Sequence, residues 1–178
     1  MKFKKLGFST QEGLTLANFE DGWSMEYGQG GSYHCELLFN GEVVAELTEE
    51  GNGGALRVSR KQNSALVNKA EEAILKCLKR CNKYYMPNSP YDFCKNATKT
   101  TCDEYSSLAE MLLNEYDKRK EIAKSFKKGY TCVGVYDSDY GYTTIGGVDK
   151  SSIVAYAIAK NIKGTPTFYD SGYEFKAI

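Results

Sequence analysis

Residues 33–47 hold the feature that most narrows the fold. Tyr33-His34-Cys35-Glu36-Leu37-Leu38-Phe39 alternates as a strand does, Val43-Val44-Ala45-Glu46-Leu47 returns as a second strand, and Asn40-Gly41 stands between them. Both central residues of a type I′ turn need φ > 0, which Asn and Gly adopt at least strain, so this dipeptide between apolar runs predicts a hairpin. Gly51-Asn52-Gly53-Gly54 predicts a wider turn, and Ala55-Leu56-Arg57-Val58-Ser59 a third strand. Upstream, from Leu14, the spacing is again that of strands and turns, with Leu16, Phe19, Trp23 and Tyr27 as anchors and Gly28, Gly30 and Gly31 as a flexible join. Residues 1–62 are expected to form an antiparallel β-meander.

The period then changes. From about Ser64 to Tyr85, Leu66, Ala70, Ile74, Cys77, Cys81 and Tyr85 recur at three- and four-residue steps, while Lys69, Lys76, Arg80 and Lys83 follow the same period on the other side. This predicts a first long helix, ended at Met86-Pro87. A second is expected over 103–127, capped by Asp103, with Tyr105, Leu108, Leu112, Tyr116, Ile122 and Phe126 facing the core and Gly129 as its stop. Beyond it, Tyr130–Tyr136 and Tyr142–Ile145 read as a β-hairpin around the turn Asp137–Gly141. A short helix follows, capped by Asp149 or Ser151 and stopped at Gly164, with Ile153, Val154, Ala157, Ile158 and Ile162 on its buried side. Thr167–Tyr169 and Tyr173–Phe175 close the chain as strands. The expected class is α+β, with residues 63–178 forming a helical and C-terminal α+β region in one compact unit with the meander.

Composition limits the function classes. Twenty-three basic residues balance 23 acidic ones, so no global field draws the chain to nucleic acid or to an anionic membrane. The balance is uneven along the chain: residues 1–56 carry three Lys/Arg against nine Asp/Glu, and residues 57–83 carry eight against two. No run approaches the roughly 20 apolar residues of a membrane span. A cytoplasmic protein without membrane partners is expected, and its six cysteines are expected to be free thiols.

Glycine at 51–54 raises the question of a phosphate loop. Such a loop needs its N–H groups at a helix entry and a lysine at fixed spacing. Here β-type residues follow and Gly-Lys-Ser/Thr is absent, so the stretch reads as a turn. Cys77, Cys81, Cys94 and Cys102 could supply four thiolates, but the first two lie on the apolar stripe, where thiols act as small hydrophobes, and no metal is expected. His34, the only histidine, neighbours Cys35 on a strand, so the two point to opposite faces and cannot easily pair for catalysis. Asp137 and Asp139 could present two carboxylates to a cation, although aspartate is a favoured turn residue in its own right.

The candidate binding residues are of two kinds. Arg57, Arg60, Lys69, Lys76, Arg80 and Lys83 form a basic stretch suited to phosphates. Tyr136, Asp137, Asp139, Tyr140 and Tyr142 belong to a chain with 14 tyrosines, a residue enriched at protein interfaces for its rigid ring and polar tip.

The layout of residues 33–58, a strand, an Asn-Gly turn, a Val-Val-Ala strand and a Gly-Asn-Gly-Gly turn, resembles that of small uncharacterised proteins of bacteriophages and mobile elements. The C-terminal outline, a helix ending in Lys-Lys-Gly, paired strands, a short helix and a final strand, is similar to the same group. The resemblance implies an accessory protein for which antagonism of a host defence system, for example of the anti-CRISPR kind, is a common role. The expected function is therefore non-enzymatic binding of a host protein or complex, without a cofactor. Nucleic-acid binding through the basic helix and capture of a nucleotide signal by Arg57, Arg60 and tyrosine rings are the alternatives. A metal enzyme built on Asp137 and Asp139 is the least favoured.

Overall fold

The structure, a computed structural model, describes residues 2–22, 31–51, 54–81, 97–127, 130–135, 143–146, 166–169 and 175–177; beyond residue 127 the description is of the backbone. The class is α+β. Five strands, β1 (Lys2–Lys5), β2 (Leu14–Gly22), β3 (Ser32–Phe39), β4 (Glu42–Glu49) and β5 (Arg57–Arg60), form an antiparallel meander in chain order. Two helices follow, α1 (Ser64–Cys81) and α2 (Cys102–Lys127). A second antiparallel sheet has the order β7 (Thr143–Gly146), β6 (Tyr130–Val135), β8 (Pro166–Tyr169), β9 (Phe175–Ala177). The chain divides into two compact units. One holds the five-stranded sheet, α1 and α2 to Leu112, and the other holds the rest of α2 and the four-stranded sheet.

The hairpin turns where the sequence requires it. Asn40 and Gly41 have φ of 51° and 91°, and Phe39 pairs with Glu42 across them. β1 and the full extent of β2 were not expected, for a physical reason. Leu14, Leu16 and Phe19 are all buried, yet the step from 16 to 19 breaks the period of two. A β-bulge between Ala17 and Glu20 absorbs the extra residue at Asn18, whose φ is 48° and whose Nδ2 donates to Glu36 Oε2 at 2.7 Å. The bulge resets the alternation, so Phe19 returns to the inner face and Glu20 to the outer one.

Gly51, two residues past β4, has φ of 70° and lies buried against Gly31 and Ser32: a Cβ there would stand 2.7 Å from the backbone nitrogen of Ser32. Its requirement is backbone approach.

The core of the first unit joins the inner sheet face to both helices. Leu16, Leu37, Val44 and Leu47 from the sheet, Val67, Ala70, Ile74, Cys77 and Leu78 from α1, and Tyr105, Leu108 and Leu112 from α2 are all buried. Each large aliphatic member contributes about 1.5–3 kcal/mol of transfer free energy. The buried face of α1 is broader than the expected stripe: Val67, Ala73 and Leu78 also belong to it, while Leu66 is half-buried. Asn63 caps this helix, its Oδ1 accepting from Leu66 N at 3.3 Å.

For α2 the cap is Thr101 rather than Asp103. Thr101 Oγ1 accepts from Asp103 N at 3.3 Å, and Glu104 Oε2 accepts from Thr101 N at 2.7 Å, a reciprocal Thr-x-x-Glu box. Asp103, two residues inside, favours the positive helix end by its charge alone.

The C-terminal strands follow the expected hairpin within a residue or so at each end, and β6 also pairs with β8. The short helix expected over 149–164 lies outside the described residues.

Candidate functional site

The C-terminal half of α1 carries an ion pair with the β1–β2 loop. The loop joining β1 to β2 is wound tightly: Thr10 Oγ1 accepts from the backbone nitrogens of Glu12 and Leu14, both at 3.2 Å, and Gly13 takes φ of 86°. This winding aims Glu12 at the helix. Its carboxylate, 4% exposed, receives Arg80 Nε at Oε1 and Nη2 at Oε2, both at 2.9 Å, and Arg80 Nη2 also reaches Cys77 Sγ at 3.7 Å. Burial pushes the Glu12 carboxyl up, but the Arg80 hydrogen bonds and charge outweigh it and leave the group below the usual carboxylate range. A two-point guanidinium–carboxylate pair of this kind fixes orientation as well as charge.

A second cluster ties β5 to both helices. Glu71 Oε1 accepts from Arg60 Nε at 2.7 Å and from the Tyr105 hydroxyl at 3.1 Å, and the Arg60 guanidinium lies 5.5 Å from the centre of the Tyr105 ring. Thr100 adds a hydroxyl bond to the Glu71 carbonyl at 3.3 Å. The Glu71 hydrogen bond raises the Arg60 pKa, while burial, with Glu71 beside it, pushes the Tyr105 hydroxyl up to about 12. The charge on Arg60 is thus used to fasten three elements together.

The outer sheet face is polar. Lys2 pairs with Glu20, Lys61 with Glu46, and His34 Nδ1 lies 3.1 Å from Thr48 Oγ1. Cys35 is on the inner face, fully buried, with its thiol pushed up to about 12 by burial, so it and His34 do lie on opposite faces. Tyr33 is raised mainly by burial as well, with Cys35, Glu49 and Glu110 of α2 adding to the shift.

The sequence-predicted residues separate into three groups. Arg57 is 74% exposed and meets Glu50 at 2.9 Å, Arg60 is held by Glu71, and Arg80 by Glu12. Lys69 and Lys76 are exposed on α1. Lys83, Tyr136, Asp137, Asp139, Tyr140 and Tyr142 lie outside the described residues. Each of the three arginines thus meets a carboxylate of its own. Of the four cysteines weighed as ligands, Cys77 is buried and Cys102 exposed at the start of α2, while Cys94 and the side chain of Cys81 lie outside the description. Among the described residues no group of three or more His, Cys, Asp or Glu is placed to hold a metal ion. No helix among them is long and apolar enough to cross a membrane.

Sequence reasoning missed Glu12 and Glu71. Glu12 is 68 residues from Arg80, and no local pattern marks a pair at that separation. It also missed a groove of about 570 Å³ on the outward side of α1, lined by Glu72, Leu75, Lys76, Lys79 and Arg80. Leu75, outside the predicted apolar stripe and next to Lys76, was the available signal.

Comparison with protein-family models, curated proteins and solved structures returns no match.

Proposed function

We propose that the chain is a non-enzymatic binding protein of phage type that acts in the host cytoplasm by occupying a host protein or defence complex. The observation that supports this reading most is the internal pairing of Arg57, Arg60 and Arg80 with Glu50, Glu71 and Glu12. Phosphate recognition depends on guanidinium groups that can turn to the ligand. Here the two less exposed arginines are committed to fastening elements, which weakens the case for a nucleotide sponge. Among the described residues, the titratable groups moved furthest, Tyr33, Cys35 and Tyr105, are pushed upward by burial, away from the range useful for acid–base work near neutral pH. The phage-type setting rests on the resemblance carried by the turns at 40–41 and 51–54.

Nucleic-acid binding is the second reading, favoured by the exposure of Lys69 and Lys76. The two separate by experiment. The full chain is expressed in bacteria carrying individual defence systems, and phage plating is measured. Restored plating, with a stoichiometric complex between the purified chain and one component of that system, is the expected result. Absence of antagonism across the panel, together with salt-sensitive retention of oligonucleotides, supports the second reading instead.

A further inference from the structure

The inward face of α1 is filled by Val67, Ala70, Ile74 and Cys77. Leu75 is turned out of that face, about 80° from Val67 and 100° from Ile74 around the helix by the 100° step of an α-helix. It is half-buried and lines the groove together with Glu72, Lys76, Lys79 and Arg80. Arg80 is a fixed wall, since its guanidinium is held in two-point contact with the nearly buried Glu12. Lys76 and Lys79 beside it are exposed cations.

We propose that this groove docks an acidic segment of the partner protein, with one aliphatic side chain of the segment on Leu75 and flanking carboxylates at Lys76 and Lys79. The inference rests on the binding reading above and specifies its surface. Charge complementarity selects the occupant. The whole chain is neutral, so attraction must be local. The Arg80 charge is already opposed by Glu12, and Glu72 lines the same groove, which thus offers two lysines beside a carboxylate. A continuous run of phosphates meets repulsion at Glu72 and has no aliphatic group for Leu75. A peptide can space its carboxylates around the leucine contact and present a backbone N–H to Glu72. Lys79 and Arg80 also complement the negative end of the helix. That helix-end effect explains the basic residues of the last turn but gives no reason for a leucine turned out of the buried face one turn before them.

The test uses the full isotope-labelled chain and four probes followed by amide chemical shifts. They are a peptide with one leucine flanked by glutamates, an all-glutamate peptide of equal length, a leucine peptide flanked by lysines, and an oligothymidylate. The expected result is that the Glu-Leu peptide shifts the amides of residues 72–80 and binds about tenfold more tightly than the other probes, a gap of about 1.4 kcal/mol. Lys76→Glu with Lys79→Glu removes this binding, and Leu75→Ser reduces it several-fold while circular dichroism is unchanged. Equal binding of the all-glutamate peptide, tighter binding of the oligothymidylate, shifts elsewhere, or indifference to the lysine changes overturns the proposal. Concentration-dependent shifts of the same amides without any probe overturn it too, by making a second copy of the chain the occupant. In the plating assay, a lysine-reversed variant that still antagonises defence sinks the groove and leaves the binding reading intact. A wild-type chain that binds the peptide but antagonises nothing does the reverse.

Discussion

Glu12 and Arg80 meet two-on-two, with both nitrogen–oxygen distances at 2.9 Å and side-chain exposures of 4% and 19%. The pair joins the β1–β2 loop to the last turn of α1. Removing one partner of a pair so deeply placed leaves the other charge desolvated. Arg80→Met is expected to destabilise the first unit by about 2–3 kcal/mol, somewhat below the range for fully buried pairs because Arg80 keeps some solvent contact. The double change Glu12→Leu with Arg80→Met should recover part of that loss. Hydrogen exchange of β2–β4 amides in the full chain is the suitable measurement, because it reports the first unit separately from the second.

The same pair sets a pH dependence. The Glu12 carboxyl is depressed in the folded chain, so the folded state binds its proton less readily than the unfolded one. Its contribution is fully present above the unfolded value of about 4.3 and is lost as pH falls through the lower folded value. The stability gap between wild type and Glu12→Gln should therefore be constant near neutral pH and narrow in acid. Denaturation across pH that shows the gap widening in acid would contradict the geometry.

Gly41 and Gly51 both take positive φ, but in different surroundings. A Cβ at Gly41 meets open space, whereas one at Gly51 stands 2.7 Å from the Ser32 nitrogen. Gly41→Ala should cost about 1 kcal/mol from backbone strain alone. Gly51→Ala should cost more, since strand β3 must also move, and thermal or urea unfolding of the two variants checks the order.

Thr101 and Asp103 offer a direct comparison at the start of α2. Thr101→Ala removes the cap and should cost about 1 kcal/mol, while Thr101→Ser should be nearly neutral. Asp103→Ala should cost less, because it loses only a charge near the helix end. Exchange rates of the first-turn amides of α2 report the ranking.

The sheet-and-helix layout was legible where local chemistry decides it. Asn40-Gly41 fixes its turn by backbone conformation, and α1 declares itself by a sustained 3.6-residue period. β2 was harder to read because Asn18 interrupts the alternation, and the extra residue makes sense only when Glu36 stands opposite it. The site was less legible for the same reason in a stronger form. Arg60 and Arg80 look available in sequence, and only tertiary placement brings Glu71 and Glu12 to them. At the start of α2 the charge of Asp103 competes in sequence with the Thr101–Glu104 spacing, and only the hydrogen bonds of Thr101 decide between them.

The proposal that this chain works by holding another protein, with Arg60 and Arg80 fastened within its own fold, has one direct test. The most direct measurement is purification of the tagged full chain from nuclease-treated host cells at physiological salt, followed by mass determination of the intact complex. The account predicts one host protein or defence component in whole-number ratio to the chain, retained after nuclease. Recovery of the chain alone or with nucleotide bound, and no such component, would contradict it.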